Sequence, residues 1–186
     1  MRGIRARTSV VADESKLMDL IGQFGWGDGL PVVPPTLGLV EQFVAASGRE
    51  PDEIVGYVAP VGGEATVEKI AVNAAMAGCL PEYMPCLLTA VEALIDPRFN
   101  LLGVQATTHP CSPLLIVSGP ESKRLGMNSG AGAFGPGCRA NATLGRAVRL
   151  ILMNLGDARP GQGDMSTQGS PAKYSFCITA VRTLNI

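Results

Sequence analysis

Apolar residues recur at helical spacing from Asp13 to Phe24, where Leu17, Leu20, Ile21 and Phe24 share one face. The cluster Gly25-Trp-Gly-Asp-Gly29 ends that pattern. Leu30-Pro-Val-Val-Pro-Pro35 then predicts an extended segment, because proline blocks a helix and drives the residue before it toward β or polyproline geometry. Thr36 is placed to cap a helix carrying Leu39, Val40, Phe43 and Val44, and Gly48 is placed to end it. Ile54 to Ala59 is a short strand candidate. After Gly62-Gly63-Glu64-Ala65-Thr66 a helix is expected from Val67 to Ala77, stopped by Gly78. A second follows from Glu82 to Leu94, with Pro81 at its first turn and Asp96-Pro97 closing it.

Two aliphatic runs, Leu101–Thr107 and Leu114–Ser118, read as strands bounded by turn signals. Cys138 to Gly156 has the period of a helix, with Leu144, Val148, Ile151, Leu152 and Leu155 as its buried stripe. Ala158 to Lys173 is a polar, glycine-containing loop longer than structural connections usually run. Tyr174 to Leu184 predicts a last strand. Helices and strands interleave, with no internal repeat and no linker. The expected fold is therefore α/β: one mixed α/β domain over residues 1–186, with short strands, several helices and long Gly-rich loops. It stays open to being one part of a split or hetero-oligomeric protein.

Composition narrows the function classes. Of the 186 residues 46% are apolar and 17% are charged, below the usual charged share of about a quarter. So few charges imply little solvent-facing surface, as expected of a subunit in an oligomer. A net charge of −1 and 5% aromatic residues give neither an electrostatic footprint nor a stacking platform for nucleic acid. No apolar run reaches the length of a membrane span. The basic start, Met1 to Arg7, is followed by no hydrophobic signal core, so a cytoplasmic location is expected. Five cysteines, an odd number without Cys-x-x-Cys spacing, make neither a disulfide framework nor a zinc site. No metal is expected, and the sequence points to no particular cofactor.

Gly126-Met-Asn-Ser-Gly-Ala-Gly-Ala-Phe-Gly-Pro-Gly137 places five glycines in front of the longest helix. Glycine lets a ligand approach main-chain N–H groups, and the first turn of a helix leaves such donors free with a partial positive charge behind them. The junction suits a small anion. Its candidate contacts are Asn128, Ser129, Gly130, Gly137, Arg139 and Asn141, although the two asparagines also suit satisfaction of the loop backbone. Arg146, seven residues after Arg139, shares its helix face, whereas Arg149 is expected to be exposed.

Other reactive residues are scattered. Glu64 and Glu68, and Lys69 and Asn73, are pairs at helical spacing that a solvated face explains better than a site. Cys79, after Gly78 and near Glu82 and Tyr83, is a candidate nucleophile or redox thiol, with a small core residue as the alternative. His109, the single histidine, ends Ala106-Thr-Thr-His and suits proton transfer near neutral pH as well as it suits a plain hydrogen-bonded structural role. Cys111 follows beyond Pro110. Cys86, Cys138 and Cys177 read as packing residues, and Asp28 with Pro34-Pro35 as a wall of the site. A nucleotide-binding module is disfavoured by the lack of a phosphate-loop or dinucleotide fingerprint.

The strings Gly27-Asp-Gly-Leu-Pro-Val-Val-Pro-Pro-Thr36, Gly63-Glu-Ala-Thr-Val-Glu-Lys-Ile-Ala-Val-Asn73, Ala77-Gly-Cys-Leu-Pro-Glu-Tyr83 and Phe134-Gly-Pro-Gly-Cys-Arg-Ala-Asn141 together resemble a bacterial family of poorly characterised proteins. Its members are encoded beside small selenocysteine- or cysteine-containing proteins with a UGSC motif. The resemblance covers most of Gly25 to Cys177. It implies thiol or selenol redox chemistry, or cleavage of a carbon–heteroatom bond, performed jointly with the partner. It supports Glu64, Lys69, Asn73, Cys79, Glu82, Thr108, His109, Asn128, Arg139 and Asn141 as pocket residues without assigning their roles. Similar chains run on past Cys177, so this one is expected to be completed by a second polypeptide. The expected function is a subunit of a bacterial enzyme that binds a small anionic substrate, with Cys79, His109, Glu64 and Lys69 as candidate catalytic groups. The alternative is a non-catalytic scaffold or binding subunit whose partner carries the chemistry.

Overall fold

The computed structural model describes residues 16–180. Helix α1 (Leu17–Phe24) ends at Gly25 in the left-handed region, and the expected first turn from Asp13 lies outside the described residues. Helix α2 (Leu37–Ser47) has both expected signals. The Thr36 hydroxyl accepts from the Leu39 N–H, and Gly48 closes the helix with φ 68°. Strands β1 (Ile54–Val58) and β2 (Gly63–Thr66) form an antiparallel hairpin pairing Val58 with Gly63 and Tyr57 with Glu64. The glycine pair is therefore part of a hairpin and not a loop opening directly onto a helix. Gly63 is required there, since a Cβ would run into the Leu155 carbonyl oxygen.

Helix α3 (Val67–Ala77) is buried on nearly every side; even Glu68 and Asn73 are enclosed. Its alanines at 71, 74, 75 and 77 let neighbouring elements approach closely. Helix α4 (Met84–Ile95) follows a 3-10 turn that starts at Pro81. Helix α7 (Arg139–Asn154) buries Leu144, Ala147, Val148, Leu150, Ile151 and Leu152. Near its end Asn154 bonds Asn73 of α3 (2.7 Å), and near its start Arg139 bonds Gly78 (2.9 Å). The two helices are therefore antiparallel, and they form the middle of a single hydrophobic core that also takes in α2 and α4.

One expected strand is instead a helix. Residues Leu101–Ala106 form α5, which buries Leu101 and Gln105 at helical spacing. The cause is Asn100, which takes φ 54° and accepts from the Gly103 N–H to start the turn. Strand β3 (Leu115–Ser118) leads into the short helix α6 (Pro120–Arg124). It pairs in parallel with β4 (Cys177–Ala180), Leu115 opposite Cys177, so the whole segment through α7 is the crossover that parallel strands demand. The expected continuation of the last strand to Leu184 lies outside the described residues. The approach to β4 lies against α7 at Gly145, where an added Cβ would stand 2.5 Å from Ser175 Oγ and 2.6 Å from the Phe176 nitrogen. The result is a mixed α/β fold of seven helices and two small two-stranded sheets among the described residues. None of those helices is long and apolar enough to cross a membrane.

Candidate functional site

The glycine-rich stretch packs onto the start of α7 through one buried side chain. Asn141 accepts the Asn128 N–H (3.0 Å) on Oδ1, and its Nδ2 donates to the Asn128 carbonyl (2.9 Å) and the Ala133 carbonyl (3.1 Å). Asn128 in turn accepts the Gly130 N–H and donates to the Ala131 carbonyl. The amides of Ala133 and Gly135 are bound within the loop, to the carbonyls of Gly130 and Gly132. Gly137, with φ 117°, swings the chain into the helix. Beyond it, no side chain caps α7. Among the described residues the amides of Arg139 and Ala140 meet no acceptor, as expected for an uncapped first turn. Ser129, Gly130 and Gly137 are exposed beside it.

Arg139 is held at the other side of this junction. Its Nε donates to the Gly78 carbonyl at 2.9 Å, and one Nη reaches the Cys79 carbonyl at 3.5 Å. The guanidinium thus covers the C-terminal end of α3, where partial negative charge gathers, and Arg139 remains exposed. Tyr83 lies nearby; burial pushes its phenol up, against the pull of Arg139. Glu82 stands exposed beside it, and its carbonyl accepts from Arg124 at 2.9 Å.

Cys79 is close in space but closed off. Its thiol donates to the Thr143 carbonyl at 3.3 Å, and burial pushes it up to about 12. A group so placed is protonated at neutral pH and is not an activated nucleophile. Cys138, the residue that precedes α7, has Asn141 Oδ1 (3.1 Å) and the Gly126 carbonyl (3.4 Å) within reach of its one S–H, so its sulfur also serves the loop.

The remaining candidates stand elsewhere. Lys69 and Glu64 meet at the opposite end of α3, with Nζ 3.1 Å from the Glu64 carbonyl and 3.9 Å from its carboxylate. From Lys69 to Gly78 the helix advances by about 14 Å at 1.5 Å per residue. Both side chains are exposed, as a solvated pair would be. Asn73, midway, is buried and spends its amide on the Lys69 carbonyl and on Asn154. His109 is exposed just beyond α5, with its N–H and ring nitrogen on the Thr107 hydroxyl (3.2 Å each). The Thr108 carbonyl accepts from the N–H and the hydroxyl of Thr167. This pair belongs with the 158–173 loop and not with the glycine-rich one.

Two charged anchors complete the picture. Arg146 grips Asp28 through two bonds of 2.7 and 2.9 Å and reaches the carbonyls of Leu30 and Pro31, fixing the Asp28–Pro31 segment against α7. Burial raises the Asp28 carboxyl, but Arg146 outweighs it and holds the group below its usual value. The expectation that Arg149 is exposed is corrected. Arg149 is buried and bonds Asp164 Oδ2 at 2.9 Å, the same oxygen that takes Lys173 Nζ at 2.8 Å. Asp164 Oδ1 takes the Ser166 N–H and hydroxyl. Burial raises this carboxyl too, yet the bonds from Lys173 and Ser166 hold it below the ordinary range. Nothing in the sequence singles out this cluster except a loop of unusual length. Among the described residues no group of His, Cys, Asp or Glu side chains is arranged to hold a metal.

No family model, curated protein or solved structure matches this chain. The functional reading therefore rests on the geometry at the start of α7.

Proposed function

We propose that the protein is the anion-binding subunit of an enzyme assembly, with the reactive thiol or selenol supplied by a partner polypeptide. The ligand is a small anion, such as a phosphate or carboxylate group, held at the uncapped start of α7 beside the exposed Arg139 guanidinium and the exposed Ser129–Gly130 turn. The observation that carries this reading is the state of Cys79. It is the candidate nucleophile nearest the junction, and it is buried, hydrogen-bonded and protonated. The catalytic alternative within one chain loses further support because His109 and the Glu64–Lys69 pair attach to other parts of the fold.

The test is titration of the purified protein with inorganic phosphate and with acetate, followed by calorimetry and amide chemical shifts. Binding is expected to move the amides of residues 129, 130, 139 and 140, and to survive Cys79→Ala. Shifts confined to other regions would defeat the assignment of the site. Loss of turnover on Cys79→Ala in the assembled complex, with the fold and anion binding intact, would return catalysis to this chain.

A further inference from the structure

Strand β3 is paired along one edge only. The Leu115 N–H bonds the Phe176 carbonyl at 3.0 Å, so the main-chain groups of Leu115, and by alternation those of Val117, face β4. Those of Ile116 and Ser118 face the opposite way. Among the described residues β3 has β4 as its one partner and no bond from outside the sheet reaches the main chain of Ile116, which is 53% exposed. Along this edge runs a groove of about 780 Å³, walled on its far side by Pro85, Cys86, Thr89, Ala90 and Ala93 of α4.

The unmet requirement of this groove is specific. An open strand edge calls for N–H and C=O groups at β spacing, which a helix spends on itself and a small molecule rarely carries. Its wall on α4 offers small and apolar side chains, suited to the alternate residues of an extended segment. Its charge has a sign. Two carboxylates, Glu82 and Glu121, share the groove with one guanidinium, Arg124, which bonds Glu121 at 2.6 and 2.8 Å and the Glu82 carbonyl at 2.9 Å, so negative charge is in excess there. Two copies of this chain meeting groove to groove would bring like charges together. We propose that the groove binds an extended, apolar segment of a different protein carrying a basic residue, added beside β3 as a third strand and oriented by Glu82.

The experiment uses the full chain and two fluorescein-labelled peptides, Arg-Val-Thr-Val-Thr-Val and Glu-Val-Thr-Val-Thr-Val, followed by fluorescence anisotropy. The arginine peptide is expected to bind at least tenfold more tightly than the glutamate one, and Glu82→Gln to remove that preference. Ile116→Pro removes the outward N–H of β3 at a position where an edge strand can accept proline, and is expected to weaken binding at least tenfold. Ala93→Arg fills the groove from an exposed position and is expected to do the same, so the test stands even if the proline variant fails to fold. Absence of saturable binding up to millimolar peptide, or binding unmoved by Ala93→Arg, overturns the proposal. So does a concentration-dependent dimer in sedimentation that Ala93→Arg dissolves, which would make a second copy the occupant. Anion binding at the start of α7 is measured on the same samples, so failure of one reading is separable from failure of the other.

Discussion

The two glycine-containing loops of this protein are secured in opposite ways. The stretch from Gly126 to Gly137 is held by one neutral amide, Asn141, which bonds main-chain groups at Asn128 and Ala133. It leaves an exposed turn beside the uncapped start of α7. The loop from Ala158 to Lys173 is held through its middle by charge, with Asp164 only 1% exposed between Arg149 and Lys173. A loop clamped by a buried ion cluster is a structural closure, because removing one member leaves the others charged and enclosed. A loop pinned from beneath by an amide leaves its outer surface exposed to a ligand. The more heavily charged of the two loops is thus the less promising place for chemistry.

The comparison breaks first at Asp164. Asp164→Ala leaves Arg149 and Lys173 buried without their acceptor and is expected to destabilise the fold by about 3–5 kcal/mol, read from urea unfolding. Acid titration sharpens the same point. Because the folded carboxyl is held low, its contribution is complete above the unfolded value of about 3.9. It is lost as pH falls through the lower folded value. Circular dichroism of Asp164→Asn should show a shallower loss over that window; identical acid transitions would remove the ion cluster from the account.

Asn141→Ala is expected to cost less, about 1–3 kcal/mol, since it strands neutral main-chain groups. It should also release the glycine-rich loop, seen as faster amide exchange at Asn128 and weaker phosphate binding. Arg139→Ala comes next. Stability should change by about 1 kcal/mol, through loss of the bond to Gly78, while phosphate affinity falls about tenfold; a large unfolding effect with unchanged affinity would make Arg139 a helix clamp alone. The smallest effect is expected of Cys79→Ala, about 1 kcal/mol in stability and none in anion affinity. In the unmutated protein Cys79 should react with a thiol reagent far more slowly than the exposed Cys111, as mass spectrometry of the labelled sites would show.

What could be read along the chain was local. Thr36 with Gly48, and Gly78 after α3, are signals whose partners lie within one helical turn, and the structure has α2 and α3 where those signals put them. The span 101–107 misled because its six helical residues are too few to show a period, and the deciding residue, Asn100, precedes them. The ion cluster was hidden for another reason. Arg149 and Asp164 are fifteen positions apart, and nothing in a helix of ordinary pattern marks which arginine will turn inward. The glycine-rich stretch before α7 was legible as a junction of loop and helix, but the residues expected to gather there were not. Glu64, Lys69, Thr108 and His109 carry plausible chemistry in sequence, yet the path of α3 and the end of α5 carry them to other surfaces.

Gly145 has a reach beyond its own helix turn. The residues leading into β4 rest on α7 where that glycine has no side chain, and β3 is carried by β4. A single methyl at this spot would lift both strands away from the helix, and with them one bank of the channel facing α4. The width of that channel, and so the thickness of any guest it admits, is set by an atom that is not there.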